Sequence, residues 1–186
     1  MNEITVIDII SVVFTGVISG VVASIMFYIL LLAVRPKIYV SDNVCRVQTA
    51  NTGTLIHIKV VNKTHCMLTN VKYVLNFCKY ISDGVFSTDE IPPLKIPLTF
   101  IDKYSEKDED AEYAVRFSYV IPSSVCVSDG WLEFSIYAEH EFSNTVACVK
   151  KRYKCENMID GTFESASSMR ITSFNTENIM KIRSKN

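Results

Sequence analysis

Two hydrophobic patterns divide the chain. From Ile9 to Val34 the sequence IISVVFTGVISGVVASIMFYILLLAV carries no charge at all. Beyond Lys37, apolar residues return at every second position in short runs. The first pattern predicts a helix. Its 26 residues would rise about 39 Å at ~1.5 Å each, enough to cross a hydrocarbon core of ~30 Å with some tilt. Soluble core helices rarely stay apolar for so long. A cleaved leader fits badly, because the front is acidic (Glu3, Asp8) and no small-x-small cleavage pattern follows.

The second pattern predicts strands. Alternation runs through 37–41, 55–62, 70–81, 95–101, 112–121, 131–140 and 145–155. Turn-rich stretches at Asn51-Thr-Gly, Ser82-Asp-Gly, Ile91-Pro-Pro and Ser128-Asp-Gly separate them. The fold class expected is a transmembrane α-helix followed by an all-β domain. That domain is an antiparallel β-sandwich, or a small barrel, of about seven to eight strands. The organisation read from the pattern is residues 1–36 for the span, 37–159 for the β-domain and 160–186 for a polar tail. The tail ends on Lys181, Arg183 and Lys185 and offers one short helical stretch near 178–183. One hairpin can be carried to register. A two-residue turn at Ser143-Asn144 sets Phe142 against Thr145, Phe134 against Tyr153 and Glu133 against Lys154.

Inside the apolar helix the small residues are ordered. Gly16, Gly20 and Ser24 form one row at intervals of four, and Thr15, Ser19 and Ala23 form the next. Ser11 and Asp8 prolong the second row toward the N-terminus. Residues four apart share a helix face, and small residues there let two helices approach closely in lipid. Gly16, Gly20, Ala23 and Ser24 are therefore the candidate packing residues, and the partner they imply is a second copy of the chain. In a ring of copies, Asp8, Ser11, Thr15 and Ser19 become candidate pore-lining residues, with an apolar constriction at Val22 or Met26. Asp8 equally suits the helix N-terminus, where a carboxylate is favoured.

Charge gives the expected orientation. Arg35 and Lys37 follow the apolar run, whereas its N-terminal flank holds no Lys or Arg. Positive flanks stay in the cytoplasm, so the N-terminus is expected outside and the β-domain inside. The formal net charge of −1 gives the whole chain no polycationic attraction to duplex nucleic acid. The acidic stretch 102–112 reads as a solvated connection.

Chemistry in the β-domain is sparse. The six cysteines make no CxxC, no Cys/His pair has zinc spacing, and no metal or cofactor is called for. In the reducing cytoplasm they act as small apolar residues. With the opposite orientation they could pair, and Asn62-Lys-Thr would then be a glycosylation acceptor. No nucleophile elbow, phosphate-cradling loop or dinucleotide fingerprint occurs, so no catalytic residue is assigned and the protein is read as a non-enzyme. Lys150, Arg152 and Lys154 share one face of the last long strand and are the candidate ligand-binding residues, suited to a phosphate-bearing molecule. Cross-strand pairing with Glu133 and protection of a sheet edge explain the same stripe without a ligand.

Three segments carry a resemblance: Arg35-Pro-Lys-Ile at the end of the span, Ile58-Lys-Val-Val-Asn-Lys-Thr, and Leu132-Glu-Phe-Ser-Ile-Tyr-Ala-Glu-His-Glu-Phe-Ser-Asn. With the overall layout, they resemble small bacterial membrane effectors of nucleotide-signalling anti-phage systems, with the Hailong effector and the β-barrel effectors of cyclic-oligonucleotide systems as analogues. The resemblance implies a homo-oligomeric effector in the bacterial inner membrane. Its helices would form a gated pore that disrupts membrane integrity. A nucleotide or oligonucleotide made by a partner nucleotidyltransferase would control it through the cytoplasmic β-domain. Most effectors of this group with cyclic-nucleotide sensors carry two membrane helices, and this chain has one. The other reading of the same layout is a non-conducting, membrane-tethered β-sandwich that recruits a protein partner.

Overall fold

The computed structural model describes residues 6–49, 53–82, 84–95, 98–105, 112–122, 130–165 and 168–174. The chain divides after Arg35 into two compact units. The first contains one helix, α1 (Val6–Ala33). Within it Ile10–Leu32 is long and apolar enough to cross a membrane. Its large side chains lie exposed, Val12 at 72% and Phe14 at 66%, as expected of a surface that meets lipid or another helix.

The second unit is all-β, with two mostly antiparallel sheets packed face to face. Among the described residues it has ten strands, a few more than the pattern predicts: β1 (Ile38–Val40), β2 (Cys45–Thr49), β3 (Gly53–Asn62), β4 (Leu68–Ser82), β5 (Val85–Ile91), β6 (Ala114–Ile121), β7 (Gly130–His140), β8 (Val146–Lys154), β9 (Ile159–Phe163) and β10 (Ile171–Ser173). In the first sheet β3 is central. β6 pairs with it on one side, while β1 and β2 follow its other side one after the other. The break between β1 and β2 is sealed by Ser41, whose hydroxyl accepts the Lys59 amide at 3.2 Å and whose own amide donates to the Lys59 carbonyl at 2.8 Å. The second sheet runs β5-β4-β7-β8.

Alternation makes the core. Ile56, Ile58 and Val60 of β3, Phe117 and Tyr119 of β6, and Leu132, Phe134 and Ile136 of β7 are buried between the sheets. Phe134 packs against Phe117 at 5.7 Å and Tyr119 at 6.5 Å between ring centroids, joining the layers. The Tyr153 hydroxyl donates to the Ser41 carbonyl at 2.8 Å across the same interior.

Four expectations change. The run 95–101 shows no strand among its described residues: 98–100 are irregular, and Ile101 makes an isolated bridge to Leu68. Prolines at 92, 93 and 97 remove the donors a ladder there would use. The β7–β8 register lies two residues from the predicted one, with Phe134 opposite Lys151 and Glu133 opposite Arg152. The turn is longer because the buried His140 ring accepts the Phe142 and Ser143 amides at Nδ1, both at 3.3 Å, and Asn144 takes a left-handed φ of 51°. The β-domain continues past 159, since β9 pairs in parallel with β2 and antiparallel with β10. Arg46 clamps this junction through two bonds to Asp160, at 2.5 and 2.8 Å. Asn62 is fully buried. Its amide donates to the Cys66 and Asp102 carbonyls at 3.0 and 2.8 Å, so it is no glycosylation acceptor. The helix expected near 178–183 and the acidic residues 106–111 lie outside the described residues.

Candidate functional site

On α1 the packing row stands clear. A Cβ added at Gly16 or Gly20 meets nothing within 4 Å, so both glycines offer open backbone to a neighbouring helix. The hydroxyls are occupied locally. Thr15 Oγ1 donates to the Ser11 carbonyl at 2.8 Å, Ser19 Oγ to Gly16 at 3.1 Å and Ser24 Oγ to Gly20 at 2.8 Å. Each donor is satisfied without water, and the hydroxyl oxygens remain as acceptors. Ser11 and Ala23 lie exposed with them. Asp8 belongs to the first turns of α1, and its side chain lies outside the described residues.

The basic stripe is brought together as expected. Lys150, Arg152 and Lys154 lie on the outer face of β8, while Lys151 turns the other way to Asp42. Glu133 of β7 sits between two of them. It accepts from Lys150 Nζ at 2.9 Å and Arg152 Nε at 2.8 Å. Hydrogen bonds from Lys150 and then Arg152 hold its carboxyl below the usual range. Lys154 pairs loosely with Glu156 at 3.3 Å, both largely exposed. Glu133 bonds Arg152 through Nε, which leaves the terminal guanidinium donors for another partner.

Beside the stripe lies a group the alternation alone does not announce. Tyr80 of β4, Phe86 of β5 and Trp131 of β7 cluster on the same outer face, with centroid separations of 5.1 Å for Tyr80–Trp131, 5.9 Å for Phe86–Trp131 and 6.1 Å for Tyr80–Phe86. Arg152 Cζ sits 5.8 Å from the Trp131 ring centroid. The signal was the Ser82-Asp-Gly turn: a hairpin centred there sets Tyr80 opposite Phe86, as observed.

Two other places gather titratable side chains. A cleft of about 560 Å³ along β6 is lined by Tyr73, Phe100, Lys95, Arg116, Asp102 and Glu112, among others. Its mixed charge favours neither anions nor cations. On the far side of β3, Cys45, His57 and Ser118 lie in one row across three strands. His57 Nδ1 meets Ser118 Oγ at 2.8 Å, but the Cys45 thiol is buried, donates to the Gly161 carbonyl at 2.6 Å, and is pushed up by burial. A thiol so held lacks the thiolate character of a nucleophile. Next to this row Lys59 is buried, donating from Nζ to the Ser165 and Ser168 carbonyls at 2.5 and 2.6 Å. Among the described residues no group of three His, Cys, Asp or Glu is placed to hold a metal ion. The five described cysteines are free thiols.

No protein-family model matches the chain, and no curated protein matches its sequence.

Proposed function

We propose that the chain is a homo-oligomeric membrane effector: its N-terminal helices associate around a narrow gated pore, and its β-domain sets the state of that pore by binding a nucleotide or oligonucleotide. The carrying observation is the row Gly16, Gly20 and Ser24, open at both glycines on a fully exposed apolar helix. In lipid, apolar side chains give helices no reason to associate, so close backbone approach is the means available. The neighbouring Thr15 and Ser19 row supplies a weakly polar lining whose donors are already bonded. A ligand gates such a bundle only by binding two of its states unequally. The setting, anti-phage defence at the bacterial inner membrane with a nucleotidyltransferase as partner, rests on the resemblance. The β-domain faces the cytoplasm in this reading, which Arg35 and Lys37 after the span support, and the protein is not an enzyme.

Replacing Gly16 and Gly20 together with Leu is expected to lower the mass of the detergent-solubilised assembly to that of one subunit. It is also expected to abolish conductance in planar bilayers. Unchanged mass and conductance would discard the pore. A second reading, a tethered β-sandwich that recruits a protein, is favoured by Glu133 already holding Lys150 and Arg152. Purified oligomer that stays silent in the bilayer recording would select it.

A further inference from the structure

We infer that the free edge of β6 is a docking groove for an extended segment of a partner protein, which adds a strand there and carries an acidic residue four positions ahead of a basic one. The inference needs neither the pore nor the nucleotide. β6 borders its sheet and has β3 on one side only. Backbone groups of an antiparallel strand point to alternate sides, residue by residue. The Tyr113 carbonyl accepts the Asn62 amide at 2.9 Å and so faces β3, whereas the Ser118 carbonyl accepts the Leu94 amide at 2.8 Å and faces outward. Both bonds fix one parity: Ala114, Arg116 and Ser118 turn their backbone groups to the free edge. Residues 93 and 94 cover its Ser118–Tyr119 part. Among the described residues nothing pairs with the outward groups of Ala114 and Arg116. Such an edge is a template for another strand.

The cleft of about 560 Å³ lies along this uncovered part. Its other wall is the stretch that lines β4, where the Thr99 carbonyl accepts the Val71 amide at 3.1 Å and Ile101 bridges Leu68. Tyr73 and Phe117, with ring centroids 4.2 Å apart, give it an apolar floor. Charge divides the cleft. Lys95 and Arg116 stand toward Ser118, and Asp102 and Glu112 stand toward Asn62, whose amide groups bond the Asp102 and Tyr113 carbonyls. A strand that continues the line of residues 93 and 94 runs antiparallel to β6, as they do. Its residue opposite Arg116 then shares a face with the one opposite Glu112, four positions and ~13 Å further on. A carboxylate at the first position and an ammonium at the second meet opposite charge. Apolar side chains between them fall on the side of Val115, toward the core. A polynucleotide, charged alike along its length, would be repelled at Asp102 and Glu112.

The probe is the peptide Glu-Val-Thr-Val-Lys, amidated and carrying fluorescein through an N-terminal Gly-Gly linker. Full-length protein in zwitterionic nanodiscs is titrated with it and binding is followed by anisotropy. The control peptide, Lys-Val-Thr-Val-Glu, has the same composition with its charges exchanged. The expected result is saturable binding, tighter by about fivefold or more for the first peptide. Both peptides meet the same unmodified protein, so this comparison depends on no variant folding. The Lys95→Glu, Arg116→Glu protein should lose the preference. Ala114→Pro removes an outward donor at the first residue of β6 and spares the β3 ladder, so it should weaken the peptide by a similar factor at an unchanged thermal midpoint. Residue-resolved amide exchange should slow at Ala114 and Arg116 on saturation and stay the same at Val115 and Phe117, which face β3. Absence of saturable binding, equal affinity for the two peptides, or protection that ignores this alternation would overturn the groove. So would slow exchange at Ala114 and Arg116 before any peptide is added, which would give the edge to another part of the chain or to a second copy.

Discussion

Lys59 illustrates what one residue can hide from a sequence. It alternates with Ile58 and Val60 and reads as a solvated strand position. It is 1% exposed, and Ser165 and Ser168, more than a hundred positions later, supply its two carbonyl acceptors. Val61 and Tyr113 form a small second core nearby with Met169. Burial, and then the charge of Arg116 opposite on β6, lower the Lys59 pKa to about 8. Titratable groups that share this face include Tyr39, Cys45 and His57. The unfolded chain holds its proton to about 10.4, so between pH ~8 and ~10.4 the unfolded state binds more protons and Lys59 adds stability as pH rises. Urea midpoints of wild type and Lys59→Met, compared from pH 7 to 10, should therefore shift in favour of wild type. A constant difference would remove the buried ammonium from the account. Asn62 is the neutral counterpart. Asn62→Ala would orphan the Cys66 and Asp102 carbonyls, with an expected loss of about 1–3 kcal/mol in denaturation.

Elements were legible where one face was buried and the other wet. β3, β4, β6, β7 and β8 follow their alternation because the core enforces it. β5 is exposed at five of its seven positions, with Ser87 partly covered and Ile91 buried, and no apolar period marks it. It exists because β4 offers an edge. The β7–β8 hairpin shows where pattern stops. A slip of two residues keeps every side chain on its face, so parity named the stripe correctly and could not choose between registers. The turn chose, through the His140 ring bonded to the Phe142 and Ser143 amides. His140→Ala should leave both amides unsatisfied, speed their hydrogen exchange by at least tenfold, and lower stability by about 1–2 kcal/mol. Unchanged exchange at these amides would mean that Asn144 alone sets the loop.

At the scale of the molecule, an apolar helix and a two-layer β-domain were both readable, since each announces itself by a period. The cluster of Tyr80, Phe86 and Trp131 and the closing strands were not, because strands distant in sequence assemble them. β9 and β10 are polar and short, and are fixed by Arg46 and by backbone. Gly161 is part of that fit: a Cβ there would lie 2.2 Å from the Thr172 carbonyl oxygen. Gly161→Val should detach β10, and limited proteolysis should then cut within 164–170 while the sandwich core survives. The parallel pairing of β2 with β9 has a consequence for biosynthesis. β2 emerges early from the ribosome and its neighbour more than a hundred residues later. The first sheet therefore waits half-finished with an open edge, and delayed synthesis or premature termination before Asp160 would leave that edge free for illegitimate pairing.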